Sequence, residues 1–312
     1  MNHISALLQE PGFIVLDGGL ATELERHGVD LRDPLWSAKA LIENPSSIAA
    51  VHADYLSAGA EIITTVSYQA SVPGFMNRGL SRSDAERLVR LSVTLAKQER
   101  DRFWQANRAD RARPIVAASI GCYGAFLHDG SEYRGDYGLT VQQLADWHRA
   151  RIEILAQAAP DLFACETIPC SIEAEALALV LADFPDIPAW LSFSCRDASH
   201  LCAGATFAEA VAIVNEIPSA MAVGINCTAP GLIEPLLQSA HAIARKPFVV
   251  YPNLGEAWDA SSQQWLGDAA TIANWSGLAM RWYAAGARFI GGCCRTTPDT
   301  IRQIARYRDT IR

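Results

Sequence analysis

WYAAGARFIGGCC, residues 282–294, reads as a helix end, a glycine turn and a short apolar strand running into paired glycines and paired cysteines. YLSAGAEII, residues 55–63, repeats the helix, glycine turn and strand far upstream. A glycine closing a helix just before an apolar run is the αβ half of a βαβ unit. Working outward, runs of the same kind recur between Gly, Pro, Asn and Asp: FIVLDGG from Phe13, EIITTVSY from Glu61, PIVAASIG from Pro114 and LFACETIP from Leu162. PAWLSFSC from Pro188, AVGINC from Ala222, PFVVYPN from Pro247 and FIGGCC from Phe289 complete the set. They are continuous rather than alternating, as parallel strands covered on both faces should be.

Helical patterns fill the intervals. SRSDAERLVRLSVTLAKQERDRFWQA from Ser81 sets Ala85, Leu88, Leu91, Val93 and Leu95 near one stripe, and Ser83 with Glu86 reads as its capping box. Further helices are expected from Thr140, Ser171, Thr206 and Pro230, across ANWSGLAMRWYAAG, and from Thr297. Eight strands alternating with helices predict an α/β chain folded as a (β/α)8 TIM barrel, one domain over residues 1–312. An open doubly wound sheet would want a glycine-rich fingerprint after its first strand, and Asp17-Gly18-Gly19 is not one.

Composition narrows the function classes. The 312 residues are 50% hydrophobic and 19% charged, too apolar for a disordered chain. Lys plus Arg number 26 against 34 acidic residues, a net charge of -8, so a nucleic-acid partner is not expected. No apolar stretch reaches the length of a membrane span, and MNHISALLQEPGF lacks the basic and apolar regions of a signal peptide. Eight cysteines, two of them adjacent, are too few for a disulfide scaffold; the reading is a cytoplasmic protein acting on small molecules. No helix has an obvious surplus apolar face from which to read an oligomeric state.

In such barrels the chemistry lies where strands end. Those ends carry Asp17, Tyr68, Gly121-Cys122, Glu166, Cys195, Asn226-Cys227, Asn253 and Cys293-Cys294, with long loops over residues 122–139 and 254–270 as natural covers. Cys227 ends the sixth strand while Cys293 and Cys294 end the eighth, so these thiols can converge at the barrel mouth. Three thiolates with one open position describe a catalytic zinc site. Two other readings stand beside it: cysteines as small buried apolar residues, and a vicinal disulfide switch activated by Arg295, which leaves Cys227 unexplained. Cys122, Cys165, Cys170, Cys195 and Cys202 show no zinc-type spacing, and no histidine pair has ligand spacing.

DGGLATELERHG at Asp17, GINCT at Gly224 and GGCCRTTP at Gly291 resemble the homocysteine S-methyltransferase family, as do DPLWSAKALIENP, SYQAS, SIGCYGA, DGSEYRGDY, ACETIP and VVYPN. The resemblance covers essentially the whole chain and points to the compact enzymes that use S-methylmethionine or S-adenosylmethionine. It implies one Zn²⁺ per chain on Cys227, Cys293 and Cys294, activating the thiol of homocysteine for methylation to methionine. A free thiol of pKa near 8.5 is only about 3% thiolate at neutral pH, which is why a metal is needed. The resemblance also implies that Asp17 and Glu166 hold the amino-acid portion of homocysteine, its ammonium, and that the backbone at Gly18 and Gly19 approaches it closely. Taken by themselves, Asp17 reads equally as a helix N-cap and Glu166 as a structural hydrogen-bond acceptor. Tyr68, Tyr123, Tyr133, Trp258 and Trp265 are candidate faces for a sulfonium cation. Tyr68 matches a substrate-proximal tyrosine of related enzymes, and Asn226 could bond zinc or substrate, or close a turn. A selenocysteine or selenohomocysteine methyltransferase fits the same motifs. A non-enzymatic zinc or thiol redox sensor would need the cysteines without the carboxylates.

Overall fold

The computed structural model describes residues 11–109, 111–259, 264–266 and 274–312. All the expected apolar runs are strands: β1 (Ile14–Val15), β2 (Ile62–Thr64), β3 (Ile115–Gly121), β4 (Leu162–Ile168), β5 (Ala189–Phe193), β6 (Ala220–Asn226), β7 (Phe248–Tyr251) and β8 (Ala287–Ile290). They form one 8-stranded sheet of parallel neighbours in which β8 lies between β1 and β7, and a Leu16–Ile62 bridge joins β1 to β2. The sheet therefore closes into the (β/α)8 TIM barrel expected from the sequence. Helices Pro45–Ala58 and Trp275–Ala284 precede β2 and β8, with Gly59 at φ 115° and Gly286 at φ 105° making the turns read in the two echoing segments.

Two local readings are corrected. The helix from Arg82 to Asn107 is capped by Ser81, which accepts a hydrogen bond from Asp84 N at 3.1 Å, and not by Ser83 with Glu86. The same Ser-x-x-acid pattern occurs twice in register, and the helix starts at the first. Its buried stripe is Ala85, Leu88, Val89, Ser92, Val93 and Ala96, continuing to Arg100, while Leu91 and Leu95 are only half-buried. The stripe keeps the 3.6-residue period, which Leu91 and Leu95 leave.

Strand periodicity positions the site. Ile14, Leu16, Ile62, Ile115, Ala117, Leu162, Ala164, Trp190, Val249 and Phe289 pack together in the barrel lumen, while their neighbours Val15, Val116, Phe163 and Leu191 face the helices. Side chains alternate along a strand, so the residue two beyond a lumen residue also points inward. Thr64 follows Ile62 in this way, Ser119 follows Ala117, Glu166 follows Ala164 and Ser192 follows Trp190. An apolar plug thus gives way to a polar layer at the carboxyl ends of the strands. The loop over residues 122–139 holds a helix at Tyr123–Leu127 and a 3₁₀ turn at Ser131–Tyr133; the later long loop carries a hairpin pairing Ala257–Asp259 with Gln264–Leu266. No helix among the described residues is long and apolar enough to cross a membrane.

Candidate functional site

Three sulfurs meet at the barrel mouth. Cys227 Sγ lies 3.0 Å from Cys293 Sγ and 3.5 Å from Cys294 Sγ, and the latter two are 4.0 Å apart. β7 separates β6 from β8, so the two turns must lean over it, and Cys227 does so at a strained φ of 48°. Sulfurs bonded at about 2.3 Å to one tetrahedral centre would sit roughly 3.8 Å apart, so this spacing fits a single soft metal ion. The thiols also behave as one acid-base unit. Hydrogen bonds from Cys293 and Cys294 hold Cys227 well below the ordinary thiol range, while the same sharing pushes Cys293 and Cys294 above it. Arg295 is turned to Glu256 at 3.0 Å and does not supply the positive charge that a thiol switch would use.

The sulfurs form part of a pocket that also contains Asp17, Gly18, Gly19, Tyr68, Glu166 and Asn226. The structure thus brings the three cysteines, the two carboxylates, the glycine pair, Tyr68 and Asn226 to one place. Asp17 is not the N-cap of the helix that follows it; Gly19 holds that position. The Asp17 carboxylate instead accepts from Thr64 N at 2.6 Å and from Thr64 Oγ1 at 2.9 Å. Glu166 accepts a hydrogen bond from the Ser119 hydroxyl. Burial outweighs these bonds and raises Asp17 to about 8 and Glu166 to about 7.

Gly18 and Gly19 serve packing as well as the pocket. A side chain at Gly19 would meet the Cys293 carbonyl at 2.7 Å, and one at Gly18 would meet the Tyr55 ring at 2.8 Å. The Gly19 amide already donates to Thr296 Oγ1 at 3.1 Å, so this pair fixes the β1 loop against the cysteine turn. Asn226 braces the barrel end and also lies beside the cysteine cluster, its Nδ2 4.0 Å from Cys293 Sγ. Its Oδ1 accepts from Thr167 N at 2.7 Å and its Nδ2 donates to Thr167 Oγ1 at 2.8 Å, which ties the end of β6 to the residue after Glu166. Thr167 sits at φ 59°, a conformation that this pairing holds.

Of the candidate aromatics, Tyr68 and Tyr133 line the pocket, and the Tyr133 hydroxyl donates toward Cys227 Sγ at 3.8 Å. Tyr123 packs on Trp147 and Tyr137 away from it. The side chains of Trp258 and Trp265 lie outside what the structure describes. Trp36 was not singled out in the sequence, yet it stands edge-on to Tyr68 at 6.1 Å and lines the pocket at φ 45°. Gln69, His128 and Glu132 were also missed, because they sit inside loops where no period marks the inward face. Cys122 and Cys195 are buried but do not line the pocket.

A family model described as homocysteine S-methyltransferase matches residues 14–307. Homocysteine S-methyltransferase YbgG of Bacillus subtilis (strain 168) is 46% identical, with 100% of this chain and 99% of the relative aligned. Homocysteine S-methyltransferase 1 of Zea mays is also 46% identical, over 95% of this chain and 94% of its own length. The metallated form of the homocysteine methyltransferase MmuM from Escherichia coli superposes with a TM-score of 0.88 at 43% identity, covering 98% of this chain and 99% of that one.

Proposed function

The chain belongs to the homocysteine S-methyltransferase family, and from that premise we propose that it moves a methyl group from a sulfonium donor to the sulfur of L-homocysteine, with one zinc ion held by Cys227, Cys293 and Cys294. The observation that carries this reading is the meeting of those three sulfurs, 3.0 to 4.0 Å apart, in a pocket whose wall also holds Asp17 and Glu166. A thiolate set of this kind, and a metallated structure of a relative, support a metal here. When bound, zinc supplies the positive charge that keeps an acceptor thiol ionised at neutral pH.

The chain's own residues do the rest. Asp17 and Glu166 take the ammonium of homocysteine, and this fixes its sulfur toward the cysteine end of the pocket. Leu20, Ala21, Val66 and Trp36 supply apolar wall that excludes water. The homocysteine sulfur, having released its proton to solvent, forms a bond to the donor methyl carbon as the donor carbon–sulfur bond breaks. The bonding pair leaves with the donor sulfur as a neutral thioether, so no general base is needed at the methyl group. S-methylmethionine is the favoured donor and S-adenosylmethionine the second; a selenol acceptor would follow the same course.

The test is methionine formation by zinc-loaded protein from homocysteine and S-methylmethionine. Two methionines per homocysteine consumed are expected, and Asp17→Asn should abolish most of the rate. Bound zinc without product from either donor or either acceptor would replace the enzyme reading with a zinc or thiol sensor.

A further inference from the structure

Among the residues lining the pocket, two carry side-chain atoms that are sealed from solvent and have no hydrogen-bond partner: Gln69 Oε1 and Glu132 Oε2. Both are acceptors. The orientation of Gln69 is fixed, because its Nε2 donates to Ala125 O at 2.7 Å and so turns Oε1 the other way. The segment that Gln69 grips also packs on the turn carrying Glu132, since Gly124, next to Ala125, lies directly on the Glu132 backbone amide. The acceptor carboxylates proposed for homocysteine, Asp17 and Glu166, already hold Thr64 and Ser119. Glu132 lies in the 3₁₀ turn whose next residue, Tyr133, reaches Cys227.

Charge counting points the same way. The described lining includes Asp17, Glu132, Glu166 and three cysteines, but no lysine or arginine, and burial lowers the pKa of its one histidine, His128. Leaving a buried acceptor unpaired costs about 1 to 3 kcal/mol, more for a charged group, so such a pair persists where a ligand completes it. A primary ammonium has three donors and no acceptor, matching two unpaired acceptors in one pocket lining, of which one is a carboxylate.

We propose that Glu132, with Gln69 Oε1, binds the α-ammonium of the methyl donor, and so forms a second amino-acid subsite facing the one that Asp17 and Glu166 provide for homocysteine. This rests on the methyl-transfer reading above. The donor's sulfonium then lies between this anchor and the cysteine cluster, beside Tyr68, Tyr133 and Trp36. An anchor remote from the breaking bond is felt alike in the bound complex and the transition state, so it acts on KM and not on kcat.

The experiment is steady-state kinetics of zinc-loaded wild type, Glu132→Gln and Glu132→Asp with two donors, S-methylmethionine and trimethylsulfonium, which has the reacting methyl but no ammonium. Glu132→Gln is expected to raise the KM for S-methylmethionine at least tenfold, with kcat within about threefold and the homocysteine KM unchanged; Glu132→Asp should fall between. The KM for trimethylsulfonium should not move. An unchanged S-methylmethionine KM, an equal loss with trimethylsulfonium, or a rise in the homocysteine KM would each overturn the assignment. Glu132→Gln should not lower the unfolding temperature, as it would if Glu132 were a structural strut. If wild type turned over neither donor, and S-adenosylmethionine and a selenol acceptor also gave no product, the methyl-transfer reading would fail by itself. Calorimetric binding of S-methylmethionine to wild type and Glu132→Gln would then judge Glu132 without turnover, and equal affinities would overturn it.

Discussion

Asp17 and Glu166 are carboxyl groups held out of water, and if they take the substrate ammonium as proposed, its binding carries a pH signature. Burial raises Asp17 to about 8 and Glu166 to about 7. Such groups favour the folded state most below their unfolded values near pH 4, and that share of stability is lost as pH rises through 7 and 8. An arriving ammonium stabilises the ionised forms and drives protons off. Methionine, which has no thiol to titrate, should therefore bind more tightly as pH rises from 6 to 8, with release of on the order of one proton at pH 7. Calorimetry in buffers of different ionisation enthalpy reads both quantities, and a pH-independent affinity would show that these carboxyls do not hold the ammonium. At this scale the sequence marked two residues that line the pocket because both are charged and sit where an apolar strand ends. It left open whether Asp17 was an N-cap, because hydrogen bonds from a residue 47 positions away decide that.

Between the strands, two helices reach inward to hold the loops that begin at Tyr68 and Tyr123. From the helix Val141–Gln157, Arg151 donates to the carbonyls of Tyr68 at 3.1 Å and of Gly121, and its guanidinium stacks over Trp147 at 4.6 Å. From the helix Ser171–Leu181, Glu173 Oε1 meets His148 Nε2 at 2.8 Å and accepts from Tyr123 N. All three side chains are buried. Arg151→Met would strip two carbonyls of their donor and leave Glu173 without its neighbouring cation. The expected loss of stability is about 3 to 5 kcal/mol, measured from the denaturant midpoint, with a raised donor KM as Tyr68 shifts. A change within 0.5 kcal/mol would mean that water replaces the guanidinium. None of this was legible beforehand: an arginine in an amphipathic helix reads as surface, and only packing shows that it points under a loop. The helices themselves were legible, because period and capping residues are local.

At the scale of the whole molecule, the cysteine cluster ties β6 to β8 across β7, the part of the barrel beside its closure at β1. A metal binding only the folded chain should raise its stability by roughly 4 kcal/mol at a thousandfold excess over Kd. For a domain of this size that is a rise of about 5 to 10 °C in the unfolding temperature. Cys227→Ala should lose stoichiometric tight zinc, the thermal shift and methyl transfer together. Retention of any full set by that variant would remove Cys227 from the site.

What the amino-acid sequence determined by itself was the barrel and which reactive side chains stand at its strand ends. Continuous apolar strands fix which segments are covered on both faces, the turn residues fix where they stop, and thiols and carboxylates at those stops are visible without coordinates. Tertiary structure alone decided what each of those groups faces. The S···S distances, the raised carboxyls, the Asn226–Thr167 brace and the unpaired acceptors on Gln69 and Glu132 depend on closing the sheet and laying long loops over its mouth. Desolvation and hydrogen-bond satisfaction are sums over everything nearby in space, and residues far apart in the chain contribute most of that sum.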